Sequence, residues 1–265
     1  MATPHLRVLV LGDLIGTSGR LLAQRLLRPL RKQYAIDLVI ANGENSFAGR
    51  GITVATAEDM VSAGVDVITT GNHVWRGKDI VEALTGRLPI VRPLNYPAGA
   101  PGRGWLTVQV GDTRVTVVNA IGRIFLEPLD DPFAAIARLL DAPPAALGAV
   151  IVDFHAEATS EKRALGWYLD GRVAAVVGTH THVPTADAQV LPKGTAYVTD
   201  LGMCGPRHSV IGMAIGPSVE RFVTGRPTRY EVAEGGPLDL NGVVIEIDRA
   251  TGRAASIRRV DRTES

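Results

Sequence analysis

With 265 residues, 46% of them hydrophobic, and a formal net charge of +1, the chain can bury a large core and has no charge excess that would mark a polyanion binder. A single cysteine, Cys204, excludes an intrachain disulfide framework and fits a reducing compartment. No apolar run approaches the ~20 residues that span a bilayer and no signal peptide is visible, so a cytoplasmic protein with no membrane partner is expected.

Residues 1–5 read as a lead-in, with His5 a solvated side chain. Leu6–Leu11 is an apolar strand, followed by a turn over Gly12–Gly16 and a helix with Ser18 as its N-cap and leucines at helical spacing. A second strand covers Asp37–Ala41, and the glycine-rich stretch Asn42–Gly51 suits a functional loop. A helix over Thr53–Ala63 leads into the strand Val65–Thr70, and Lys78–Leu84 is helical. Strand and helix alternating in this way specify βαβ units with buried parallel strands. Pro93–Gly104 is loop, and Trp105–Val110 with Arg114–Ala120 form a hairpin through Gly111-Asp112. Pro132 begins a helix to Leu140, Val150–Phe154 is a strand, and Ser160 caps a helix to Leu169. Val173–Val177 and Ala196–Thr199 are strands. Met203–Gly236 is irregular, holds a short helix near Ser218–Val223, and forms a cap or contact segment. Asn241–Asp248 and Ala254–Val260 close the chain as a second hairpin. With no repeat and no long polar linker, residues 1–265 are expected to form one domain.

Five apolar runs end in metal-ligand side chains. Asp13 follows the first strand, Glu44 and Asn45 the second, Asn72 and His73 the third, His155 the strand Val150–Phe154, and His180 and His182 the run Val173–Val177. In Gly178-Thr179-His180-Thr181-His182, two imidazoles one residue apart converge only if the backbone turns, and Gly178 is expected to supply that turn. Carboxylate, amide and imidazole donors in this mixture suit two divalent transition ions of the manganese, iron or zinc type. Such a pair clamps the attacking and leaving oxygens of an in-line displacement, and Glu44, with two oxygens to share, is the natural bridge. His73 follows the ligand Asn72. It is placed to act as general acid for the leaving oxygen, as a cation against a phosphoryl oxygen, or as a residue that orients a ligand. Arg50, Arg123 and Arg207 lie on loops and have the chemistry to hold a phosphate, or are solvated. Cys204 and His208 have no partner motif. No substrate-binding residue is identifiable.

Gly12-Asp13, Gly43-Glu44-Asn45, Gly71-Asn72-His73, His155 and Gly178-Thr179-His180-Thr181-His182 occur in the order used by calcineurin-like metallophosphoesterases, which the chain resembles. Ile15, Glu44-Asn45 and Val74 depart from the general pattern. Together with Arg92-Pro93-Leu94-Asn95-Tyr96 and Thr199-Asp200-Leu201-Gly202-Met203, those departures look like the YmdB-like subfamily, over nearly the whole chain. The resemblance implies a four-layer α/β/β/α sandwich of two mixed sheets and a di-metal centre, usually iron or manganese. It also implies a 2′,3′-cyclic-nucleotide 2′-phosphodiesterase. On that pattern one metal takes Asp13, Glu44, Asn45 and His182. The other shares Glu44 and adds Asn72, His155 and His180, and His73 is the catalytic acid. Hydroxide attacks the cyclic phosphorus, the 2′-oxygen leaves, and a 3′-nucleotide is the product.

Two other classes compete. Gly12, Gly16 and Gly19 after a strand, with Asp37 further on, outline a dinucleotide site, although Asp13 would face the pyrophosphate with a like charge. A non-catalytic regulator that uses a metal-stabilised fold to bind RNA or a protein is the other, and a homo-oligomer is expected through the Met203–Gly236 segment.

Overall fold

Strands covered on both faces read as unbroken apolar runs. The first two, β1 (His5–Leu14) and β2 (Leu38–Asn42), pair in parallel with α1 (Gly16–Tyr34) as their crossover. The computed structural model describes residues 4–265, so the expectation for residues 1–3 lies outside the described residues. Next come α2 (Val54–Ala63), β3 (Val67–Thr69), α3 (Ile80–Thr85), β4 (Ile90–Val91) and the hairpin β5 (Trp105–Val110) and β6 (Thr113–Ile121). They are followed by α4 (Pro132–Asp141), β7 (Ala149–His155), α5 (Thr159–Tyr168), β8 (Ala175–Thr179), β9 (Gln189–Val190) and β10 (Ala196–Val198). The chain closes with β11 (Met203–Pro206), α6 (Ile215–Thr224), β12 (Leu238–Leu240), the hairpin β13 (Gly242–Asp248) and β14 (Ala254–Arg259), and β15 (Arg262–Glu264).

These strands make two mixed sheets. One has nine strands in the order β15-β12-β11-β1-β2-β3-β4, with β13 pairing with residues 5–11 of β1 and β14 pairing with β13. The other has six, in the order β5-β6-β7-β8-β10-β9. Successive side chains point to opposite faces of a strand, and β1 shows the consequence. Leu9 and Leu11 pack with Leu22 and Leu27 of α1 and Met60 of α2. Val8 and Val10 instead face the second sheet and pack with Val117, Ile151 and Val177. On the far side, Val152 and Phe154 of β7 pack with Ile136 of α4 and Leu165 of α5. The result is helix, sheet, sheet, helix, the expected four layers. Each fully buried leucine, valine or isoleucine in these layers contributes about 1.5–3 kcal/mol.

Several local expectations are corrected. β1 runs through the expected turn to Leu14, and α1 starts at Gly16 behind Ile15, so Ser18 lies inside the helix and caps nothing. Similarly α5 starts behind Ala158, and Ser160 sits in its first turn. His5 is the first residue of β1, opposite Asp248 of β13. Met203–Gly236 is more ordered than expected: β11 pairs with the end of β1, α6 spans ten residues, and Met213 bridges to Val210 and Val232. Very short strands such as β4 and β15 carry too few residues for a readable alternation and form only because a distant segment, β3 or β12, pairs with them.

The parallel strands of both sheets end on one side, with Asp13 at the end of β1, Asn42 at that of β2 and His155 at that of β7. Ligand sites in α/β sheets form at such carboxyl ends.

Candidate metal centre

Eight side chains singled out from the sequence meet at that edge. His155 Nε2 lies 3.0 Å from Asn72 Oδ1, 3.0 Å from His180 Nδ1 and 3.2 Å from Glu44 Oε1. Asp13 Oδ1 is 3.7 Å from His182 Nε2 and 4.0 Å from His155 Nδ1. Asn45 reaches His182 Nε2 with its amide nitrogen at 3.1 Å and His73 Nδ1 with its carbonyl oxygen at 2.9 Å. His73 is also 3.4 Å from Glu44 Oε1, and its backbone N–H donates to Glu44 Oε2 at 3.1 Å.

The outward nitrogens explain which way the rings present their lone pairs. The Thr179 hydroxyl donates to Asp153 at 2.7 Å, so it accepts from His155 Nδ1 at 3.0 Å. His182 Nδ1 donates to the Ile211 carbonyl at 2.8 Å, and His180 Nε2 lies 3.0 Å from the Glu157 carboxylate. Such partners fix the tautomer of ligating histidines. The inward atoms of all three rings are then acceptors, gathered with the carboxylates of Glu44 and Asp13 and the amide oxygen of Asn72. Asp13 Oδ1 is buried with no hydrogen-bond partner. Acceptors collected in this way, with a buried carboxylate oxygen left over, suit a cation, and Glu44, His155 and His180 each offer a ligand atom within 4.8 Å of the others, close enough to hold a metal ion. The donor set fits divalent transition ions.

Without a cation, charge redistributes within the cluster. Burial pushes the His155 ring down, but Glu44, Asp13 and Asp153 prevail and its pKa rises to about 9. Burial and the neighbouring His155 drive His180 down to about 3. Burial raises Asp13 to about 6 against the pull of His182 and His155. For Glu44 the burial effect is overcome by His155 and His73, which hold its carboxyl well below the usual range.

Backbone geometry supplies the convergence, but not where the sequence placed it. The expected turn at Gly178 is corrected: Gly178 lies within β8, and the left-handed conformations belong to His180 (φ 93°) and His182 (φ 64°). Glycine is needed at 178 for close approach, because a Cβ there would lie 1.7 Å from the Thr199 carbonyl oxygen. Gly71 has the same function inside the centre, where a Cβ would fall 2.3 Å from Glu44 Oε2 and 2.4 Å from His155 Nε2.

Beneath these side chains lies a layer that sequence reasoning missed. Asp153 accepts from Asn42 at 3.2 Å, from Thr179 and from Thr69, and burial raises its carboxyl pKa. Asn42 also accepts the Glu44 N–H at 3.1 Å. The available signal was an aspartate inside the apolar strand Val150–Phe154. The Arg92–Tyr96 motif proves to be a brace. Arg92 donates to three loop carbonyls, Asn95 ties the loop to Ile121 and Asp130, and the Tyr96 ring packs edge-on to Trp75, just past His73.

A cavity of about 300 Å³ opens onto the cluster, lined on one side by Glu44, Asn45, His73, His180 and His182 and on the other by Ile211, Met213, Phe222 and Tyr230. Of the three arginines considered, only Arg50 reaches it, with its guanidinium 5.0 Å from the Tyr230 ring centre. Arg123 pairs with Asp131 and Arg207 with Asp239, away from the cavity. Cys204 is buried, its thiol pushed up to about 12 by burial, and it is no nucleophile. At the turn of the dinucleotide reading, backbone packs closely on Gly12: the Gly202 carbonyl oxygen sits 1.8 Å from where a Gly12 Cβ would be.

The four-layer sandwich and this donor set define a metallophosphoesterase. Within that class the chain belongs to the YmdB-like family, whose model matches residues 9–260. It is 45% identical over 255 residues to the 2′,3′-cyclic-nucleotide 2′-phosphodiesterase of Bacillus subtilis, covering 96% of each chain. Its fold matches a phosphatase from Mycoplasma pneumoniae (TM-score 0.94, 36% identity, 100% of this chain and 95% of that one). It also matches a hypothetical protein from Thermus thermophilus (TM-score 0.92, 44% identity, 98% of this chain and 100% of that one). Among the described residues no helix is long and apolar enough to cross a membrane.

Proposed function

We propose that the chain hydrolyses 2′,3′-cyclic nucleotides to 3′-nucleotides at a centre of two divalent ions, iron or manganese. The observation that carries this reading is the set of acceptors within 3.2 Å of His155 Nε2, and the Bacillus subtilis relative supplies the substrate class. Asp13, Glu44, Asn45 and His182 would hold one ion, and Glu44, Asn72, His155 and His180 the other. Bound there, the ions supply a nucleophilic water at neutral pH and neutralise phosphoryl charge.

The chain's own groups do the rest. His73 lines the cavity beside the ligands, its ring steadied by Asn45 and its backbone by Glu44. It delivers a proton to the 2′-oxygen as the bond from that oxygen to phosphorus breaks and water oxygen takes its place. The phosphate stays on the 3′-oxygen. Arg50 offers a cation at the rim, and Phe222, Tyr230 and Met213 form an apolar wall for the nucleoside. The segment that includes α6 thereby caps the centre. A single buried thiol suits a reducing, cytoplasmic setting.

The product tests the reading. Incubation of the manganese-loaded protein with 2′,3′-cyclic AMP should release 3′-AMP. Release of 2′-AMP, or no turnover with either manganese or iron, would refute it.

A further inference from the structure

Lys162 and Asp200 form an ion pair from which water is excluded, each side chain being 1% exposed. Neither takes part in the reaction proposed above. A buried pair of this kind is a weak source of stability, since apolar residues of the same volume often serve as well or better. Its reason lies in what else the two charges hold.

Lys162 Nζ donates to Asp200 Oδ2 at 2.6 Å and to the Thr179 carbonyl oxygen at 2.7 Å. The same Asp200 Oδ2 accepts the Thr181 N–H at 3.2 Å. One ion pair therefore grips the peptide groups on both sides of His180. The N–H of His180 itself donates to Asp13 Oδ2 at 3.2 Å. Three consecutive main-chain groups are thus tied to buried charges, and the residue between them is an L-amino acid at φ 93°. Backbone in that region persists only where its surroundings over-determine it.

The anchor is itself braced from both sheets. Lys162 stands in α5, on the outer face of the six-stranded sheet. Arg259 of β14, in the nine-stranded sheet, donates to the carbonyl oxygens of Asp200 at 3.3 Å and Leu201 at 2.7 Å. The lysine stem also explains part of the need for glycine at 178, where a Cβ would meet Lys162 Cδ at 3.1 Å.

We propose that Lys162 and Asp200 are positioning residues for the metal centre. They hold the turn His180–Thr181–His182 in its left-handed form, so that His180 Nδ1 and His182 Nε2 stay aimed at the ions. This rests on the reading that both histidines are ligands. Without the pair, the turn relaxes and the two ring nitrogens separate from Glu44, Asn72 and Asp13, while the strands beneath remain.

The test is manganese affinity, measured by titration calorimetry on the full-length, chelator-stripped chain. Lys162→Met/Asp200→Asn removes both charges and leaves no unpaired one. Leu165→Ala, in the same helix but packed into the outer core, controls for lost stability alone. The double variant should bind manganese about 10–100-fold more weakly, the usual effect of losing groups that orient ligands, while Leu165→Ala keeps wild-type affinity despite a lower Tm. Lys162→Gln, which retains a donor for Thr179 without the charge, should weaken binding by a smaller factor and serves if the double variant does not fold. Wild-type affinity in the charge-removed variants, or an equal loss in Leu165→Ala, would overturn the positioning role. A wild-type chain that binds no manganese would overturn the ligand reading and this inference with it.

Discussion

His155 Nε2 stands 3.0 Å from His180 Nδ1, and each ring has its other nitrogen committed to a partner outside the cluster. Two imidazole lone pairs at that distance repel unless a proton or a metal ion lies between them. The metal-free protein should therefore carry a proton where the loaded protein carries an ion, and the two forms should respond oppositely to pH.

The sign follows from the shifts. His155 titrates at about 9 in the fold against about 6.5 in an unfolded chain. A raised value gives stability that is fully present below about pH 6.5 and is lost as pH climbs through 9. Asp13, raised to about 6, has already lost its contribution by then. His180, lowered to about 3, destabilises only below about pH 6.5, where the unfolded chain takes up its proton. Between pH 6.5 and 9, then, the Tm of the stripped protein should fall, while the rise in Tm on adding manganese should grow, because metal displaces the His155 proton. Thermal melts at several pH values, with chelator and with manganese, check both trends.

Gly71 lies against Glu44 and His155, two of the proposed ligands. A methyl group there would overlap Glu44 Oε2 and the His155 ring, so Gly71→Ala should lower metal affinity about 10–100-fold and abolish turnover at limiting metal. Far-UV circular dichroism should stay native, because Gly71 lies outside the strands. Metal content after gel filtration reads the effect directly.

The apolar wall opposite the ligands predicts a substrate-dependent variant. Phe222 is 81% exposed yet lines the cavity. Phe222→Ala should raise KM about tenfold for 2′,3′-cyclic AMP, consistent with the ~1–3 kcal/mol of a base stacked on an aromatic ring. KM for glycerol 1,2-cyclic phosphate, which has no base, should not change. Parallel steady-state assays on the two substrates separate recognition of the nucleoside from damage to the centre.

Much of the centre was legible because buried parallel strands announce themselves as apolar runs, and polar ligand types at their ends are costly unless used. Asp13, Glu44, Asn72, His155, His180 and His182 were singled out in this way and the fold gathers them at one edge, and the four-layer architecture came with the family resemblance their motifs carry. What stayed hidden depends on contacts between distant segments. Lys162 and Asp200 are 38 positions apart and look like an ordinary helix charge and a loop aspartate until the fold brings them together. The left-handed turn was assigned to Gly178 because glycine is the default residue for positive φ. Nothing local reveals that histidines adopt it, because the hydrogen bonds that enforce it come from Asp13 and Asp200. The helix caps were misplaced as well: Ser18 and Ser160 suit the position by type, but α1 starts two residues before Ser18 and α5 one residue before Ser160, behind Ile15 and Ala158, whose side chains make no cap.

In the proposed reaction His73 supplies the leaving-group proton next to metals it does not bind. The most direct measurement is kcat for 2′,3′-cyclic AMP, with metal content determined on the same samples, for wild type and His73→Ala. Both proteins should hold about two ions per chain, and kcat should be lower by about 10²–10⁴-fold in the variant, the range for a lost general acid. A variant that keeps both ions and wild-type kcat, or that loses its ions and its activity together, would contradict that role.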